Sequence, residues 1–245
     1  MIKRWNSTIA LLLQVSLLIL IVAGCNRNPL DVDIDDVDID ITIHRFEKEL
    51  FSIPEERFTE EFPALLDKYR IFFPAQMSDT LWMLEMLDFR SKPAVKDLHA
   101  EVEARFGNFS KVESSINRVM KHYKYHYPEA SIPRFYTHIS GLKPELVSMP
   151  VILNDSIAII SLDFYLGSGF KPYASIQLPR YKTQRMKPSQ IAPEVSRQLA
   201  LMNANNQEVS ETLIDQMVFQ GQLLYFMDAM MPDTEDSIKI RYTPD

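Results

Sequence analysis

Residues 151–162 read Val-Ile-Leu-Asn-Asp-Ser-Ile-Ala-Ile-Ile-Ser-Leu, and the fold class turns on them. Two apolar runs, 151–153 and 156–162, flank Asn154-Asp155, a pair that tolerates the positive φ of a tight two-residue turn. That is a hairpin. Upstream, 132–139 reads as another strand, stopped at Gly141, so a small sheet is expected near residues 132–163. Helical patterns lie on both sides of it. The class is therefore α+β: a helical N-terminal half, a small, mostly antiparallel sheet, and two C-terminal helices that cover it.

Upstream of the sheet, residues 45–126 are helical, with Pro54, Pro63, Pro74 and Pro93 as punctuation. Residues 94–106 carry Val95, Leu98, Val102 and Phe106 at helical spacing, and 110–125 carry Val112, Ile116, Val119 and Tyr123. These faces should pack inward. Downstream, the pattern predicts helices over 188–202 and 207–231, the second closed by Pro232 and apolar on more than one face, as suits a buried helix. Residues 237–242 alternate and predict a terminal strand. Residues 38–43 predict an edge strand with its apolar side inward.

The amino terminus has its own logic. Lys3 and Arg4 precede an apolar run over residues 9–22, the layout of an export signal. The run ends in Val22-Ala23-Gly24-Cys25, which resembles the bacterial lipobox, where the thiol is acylated before cleavage. An uncleaved membrane anchor would also use about 20 apolar residues, but would not require small residues ending on a cysteine. The expected organisation is a signal peptide over 1–24, lipidated Cys25 with an acidic linker to residue 40, and a single domain over 41–245. Each buried methylene of an acyl chain contributes ~0.8 kcal/mol, so the rest of the chain can be soluble.

Cys25 is the only cysteine, and its acylation excludes disulfide, thiolate-metal and thiol-nucleophile chemistry from the mature chain. Loss of Lys3 and Arg4 takes the formal charge from -7 to -9, which argues against nucleic-acid binding. The aspartates from Asp31 to Asp40 lack the glycine at which calcium loops turn. His122 and His126 share a helix face, but the segment between them lacks the glutamate of a metallopeptidase, and two histidines do not complete a site. Gly167 and Gly169 follow a strand, where the backbone can approach a ligand or form a turn that aims Asp163 and Tyr165 into a hydrogen-bond network. No Gly-x-Ser-x-Gly elbow occurs, and no pair of carboxylates is singled out for glycoside hydrolysis.

Several segments together resemble the gliding-motility lipoprotein B (GldB) family of the Bacteroidetes. They are His44-Arg45-Phe46-Glu47 to Phe51, Tyr69-Arg70-Ile71-Phe72-Phe73-Pro74, Tyr127-Pro128 through Gly141, residues 162–167, and residues 212–232. The resemblance implies a cell-envelope lipoprotein connected with gliding or related secretion machinery, and it supplies no reaction. The last two helices also resemble a zincin-like peptidase arrangement, in which His-Glu-x-x-His would fall on residues 193–197. Pro193 and Arg197 stand in place of the histidines, Gln220 stands near the second-helix glutamate, and only Glu194 remains. Proline and guanidinium do not ligate zinc, so that resemblance implies a degenerate site.

The expectation is therefore a non-catalytic lipoprotein without metal or cofactor, acting through contacts with other envelope proteins from the outer membrane, facing the periplasm. The candidate cleft is Glu194, Arg197, Gln220, Asp163 and Tyr165. The alternatives are a hydrolase with Glu194 as base, and a glycan or small-ligand binder using Tyr123, Tyr125, Tyr127 or Tyr136.

Overall fold

A computed structural model describes residues 28–204 and 212–240. The apolar run and Cys25 lie outside the described residues, as do the expected start of the last long helix at 207 and residues 241–242. The chain divides into two compact units, 1–33 and 34–245. In the first, a turn is closed by Asp31 N–H donating to the Asn28 carbonyl at 3.0 Å. In the second, the elements run β1 (Ile43–Arg45), α1 (Phe46–Ser52), α2 (Phe58–Lys68), α3 (Asp79–Ser91), α4 (Pro93–Phe106), α5 (Ser110–His126) and β2 (Arg134–His138). Then follow β3 (Val151–Leu153), β4 (Ile157–Ser161), α6 (Pro172–Ser175), α7 (Arg180–Thr183), α8 (Ile191–Asn203), α9 (Leu213–Met230) and α10 (Asp236–Lys239). The class is α+β.

The sheet has the order β1-β2-β4-β3. It is mixed rather than mostly antiparallel: β2 pairs in parallel with both β1 and β4, and only the β3–β4 hairpin is antiparallel. The reason lies in the central strands. β2 and β4 are covered on both faces, so Phe135, Tyr136, Thr137, Ala158, Ile160 and Ser161 are all buried. Tyr136, Ile157 and Ile159 face an aromatic cluster that contains Phe46, Phe58, Phe62, Tyr69 and Phe73. Side chains alternate along a strand, so Phe135, Thr137, Ala158 and Ile160 face the other way.

Local details explain other differences. The hairpin has its two-residue loop at Asp155-Ser156, and neither Asn154 nor Asp155 takes a positive φ. Instead the Asn154 side-chain oxygen accepts from Ser156 N–H at 2.9 Å and Ile157 N–H at 3.0 Å, an Asx turn. Pro63 sits inside α2 rather than ending a helix, because Phe58, Phe62, Leu65 and Leu66 are buried around it and packing outweighs the lost backbone bond. The edge strand begins at Ile43, although Ile41 is already buried and Thr42 exposed as the alternation expects.

Residues 236–239 form a helical turn where a terminal strand was expected. Lys239 is nearly buried and donates to Asp228 at 2.5 Å, with Asp236 at 3.0 Å, which ties the turn to α9. The faces expected on α4 and α5 pack inward at Val95, Leu98, Val102, Phe106, Ile116, Val119 and Tyr123, while Val112, near the start of α5, is only half-buried. α8 packs against β3 and α5, and α9 lies on α8 and α5.

Candidate functional site

Asp163, in the 3-10 turn after β4, is fully buried and organises two loops. Its carboxylate accepts from Ser140 N–H at 3.0 Å, Ser140 Oγ at 2.7 Å and Leu142 N–H at 2.8 Å. These bonds hold Gly141 at φ +76° and Leu142 at φ +58°, where a leucine is strained without such support. Tyr173 Oη donates to the Asp163 carbonyl at 2.8 Å and accepts from Leu166 N–H at 3.0 Å. Gly167, at φ +102°, donates its N–H to the Met186 carbonyl at 2.6 Å. Residues 167–186 therefore form an excursion closed at its base by this bond and packed on the domain through Tyr173. Between this excursion and α4 lies a cleft of about 1130 Å³, with Asp97, Glu101, Arg105 and Lys171 among its walls.

The five candidate residues do not form one constellation. Glu194, 5 % exposed, and Tyr165 line a second cleft of about 260 Å³ with Tyr181, Lys182, Arg185 and Gln190. Glu194 accepts from Gln198 at 3.1 Å, one turn along α8. Arg197 donates to Gln220 at 3.1 Å and so joins α8 to α9; burial lowers its pKa, though a guanidinium stays charged. Asp163 is committed to the Ser140–Leu142 turn.

The histidines separate as well. His122 is buried while His126, four residues on, is exposed. His138 Nε2 lies 2.8 Å from Ser161 Oγ, and burial pushes its pKa down to about 4, partly offset by the nearby Asp163 carboxylate. Neither residue lines the two clefts. Among the described residues, no group of three His, Cys, Asp or Glu side chains is placed to hold a metal ion. Of the tyrosines considered for stacking a sugar, Tyr123 and Tyr136 are core residues, and Tyr125 and Tyr127 are exposed.

Two surface features escaped the sequence reading. The first is α9, capped by Thr212 Oγ accepting from Asp215 N–H at 3.2 Å. Instead of being buried, it hides only Leu223, Met227, Ala229 and Met230, while Leu213, Ile214, Met217, Val218 and Tyr225 are 56 % to 73 % exposed. Leu213, Met217, Ile214 and Val218 are pairs four residues apart, so they line one side of the helix's first two turns. The second is charge. Residues 164–193 contain no Asp or Glu but carry Lys171, Arg180, Lys182, Arg185 and Lys187. Only the second was visible in composition: a thirty-residue stretch without an acid is conspicuous in a chain of net charge -7.

No helix among the described residues is long and apolar enough to cross a membrane. No curated protein and no solved structure matches the chain. The family model described as gliding motility protein GldB matches residues 27–245. The match takes in the sheet, the Asp163 turn, the excursion and α9. The chain thus belongs to the GldB gliding-motility protein family, which implies a gliding-motility-related lipoprotein of the cell envelope.

Proposed function

We propose that this protein is a non-catalytic component of the gliding apparatus or related secretion machinery, tethered through acylated Cys25 to the outer membrane on its periplasmic side, and that it works by protein contact. The observation that carries this reading is the apolar side of α9 formed by Leu213, Ile214, Met217 and Val218, each more than half exposed. Apolar patches of several hundred Å² on a folded domain are commonly interaction surfaces. A protein helix fits this side better than a bilayer does. α9 contains Asp215 and Asp228 and no Lys or Arg, and so lacks the cationic flank that helices lying on anionic lipid carry.

The tether reading is supported by the small residues before Cys25 and by family membership. The test is site-specific photocrosslinking from position 217 in cells of a gliding host. Adducts with components of the gliding or secretion apparatus are expected, lost when Val218→Asp is added. Crosslinks to phospholipid alone would overturn the protein-contact reading.

A further inference from the structure

The excursion over residues 167–186 has no role in the contact proposed for α9. Lys171, Arg180 and Arg185 are exposed on it, and Lys182 and Lys187 are partly exposed. Elsewhere among the described residues some cations find carboxylates, as Arg45 does with Glu47, Arg57 with Glu61, Lys68 with Glu49, Arg70 with Asp67 and Asp79, and Lys92 with Asp88, while Lys96, Lys111, Lys121 and Arg134 are scattered singly without an ion pair. Among the described residues, none of the five cations in 171–187 makes an ion pair or a side-chain hydrogen bond. Tyr181 stands exposed between Arg180 and Lys182. The excursion is nevertheless held in place by buried Tyr173, by Met186 and by the Gly167–Met186 bond.

We infer that this excursion is a docking surface for the anionic phospholipid face of the membrane that holds the protein's own lipid anchor. The inference rests on the tether proposed above. The linker from Asn26 to Asp40 reaches at most about 50 Å when extended, so a tethered domain stays within that distance of the headgroups and meets them repeatedly. Charge decides which side faces them. The excursion and its exit carry five positive charges, leaving a formal -14 on the rest of the mature chain. An anionic surface attracts the first and repels the second, over about one Debye length. Exposed tyrosine suits the headgroup layer, where aromatic rings with a polar edge concentrate. The surface thus turns the domain while the acyl chains hold it, so that α9 is presented in a fixed orientation.

The experiment uses the lipidated chain carrying Ser175→Cys, labelled with an environment-sensitive dye. Ser175 is exposed at the end of α6, and Cys25 is the sole native cysteine. Flotation with phosphatidylcholine vesicles reads the tether; failure to float, with a second dye entering at Cys25, would count against acylation and leave the dye result to be read separately. With flotation intact, the dye should be severalfold brighter on phosphatidylglycerol vesicles than on phosphatidylcholine. Half-molar salt, or Lys171→Glu with Arg180→Glu and Arg185→Glu, should abolish the difference. Equal emission on the two vesicles would overturn the inference. So would a response to soluble polyglutamate, on phosphatidylcholine vesicles, that phosphatidylglycerol does not elicit; that would assign the surface to an acidic protein.

Discussion

The region where α1 meets β2 and the region from Gly167 to Met230 resolve their difficult groups in opposite ways. In the first, Arg45 and Glu47 are largely removed from water and paired with each other. Arg45 Nε donates to Glu47 at 2.5 Å, its Nη1 donates to the Phe106 carbonyl at 2.9 Å, and its guanidinium lies 4.4 Å from the Phe109 ring centroid. The other Glu47 oxygen accepts from Thr137 Oγ at 2.7 Å, so β1, α1, α4 and β2 meet at one ion pair. In the second region, apolar side chains of α9 remain in water and five cations stand without carboxylates. Stability is concentrated in the first, and the surfaces available to partners in the second. Unspent interaction capacity on a rigid support is a better guide to function here than the convergence of ionisable groups.

The comparison breaks if substitutions do not separate along this line. The largest effect is expected at Glu47. Glu47→Ala leaves Arg45 buried without its partner and should cost about 3–5 kcal/mol, read as a shift of the urea midpoint. Next comes the boundary between the regions. Asp163→Asn replaces one acceptor oxygen by a donor that faces Ser140 or Leu142, and should cost about 1–3 kcal/mol. Trypsin would then cut faster within 167–186, because the Ser140–Leu142 turn and the excursion share that residue's support.

A smaller effect follows from His138. Its pKa falls from the ordinary 6.5 to about 4 in the fold, so the unfolded chain binds the proton more readily. Stability from this group is full above pH 6.5 and declines as pH falls from 6.5 towards 4. Its partial contact with solvent limits the loss to about 1–2 kcal/mol. His138→Gln, which keeps a partner for Ser161, should flatten urea midpoints measured between pH 7 and pH 4.5. The smallest stability effect belongs to α9: Met217→Asp with Val218→Asp should change unfolding free energy by no more than about 0.5 kcal/mol per site, because both side chains are already in water.

What the sequence disclosed, and what it withheld, follows the same division. The inward faces of α4 and α5 were legible because burial on one side of a helix leaves a periodic trace at Val95, Leu98 and Val102. The strands 132–139 and 151–162 were legible as β-branched runs. Their parallel pairing was not, since β4 parallels β2 only because the short β3 reverses the chain between them, and strand sequence carries no direction. Exposure of α9 was hidden for a related reason: a helix whose apolar residues fall on every side, with polar ones interspersed, gives no clue to which side is left uncovered. Among the candidate residues, Arg197 reaches across from α8 to Gln220 on α9. Partners on another element cannot be read from spacing within one.

The most direct test of the account is gliding by a host in which the native protein is replaced by Met217→Asp with Val218→Asp, with membrane-bound protein quantified and its thermal unfolding compared with wild type. The account predicts normal abundance, unchanged unfolding and loss of gliding. Normal gliding at normal abundance would contradict it, because the exposed side of α9 would then have no part in the protein's work.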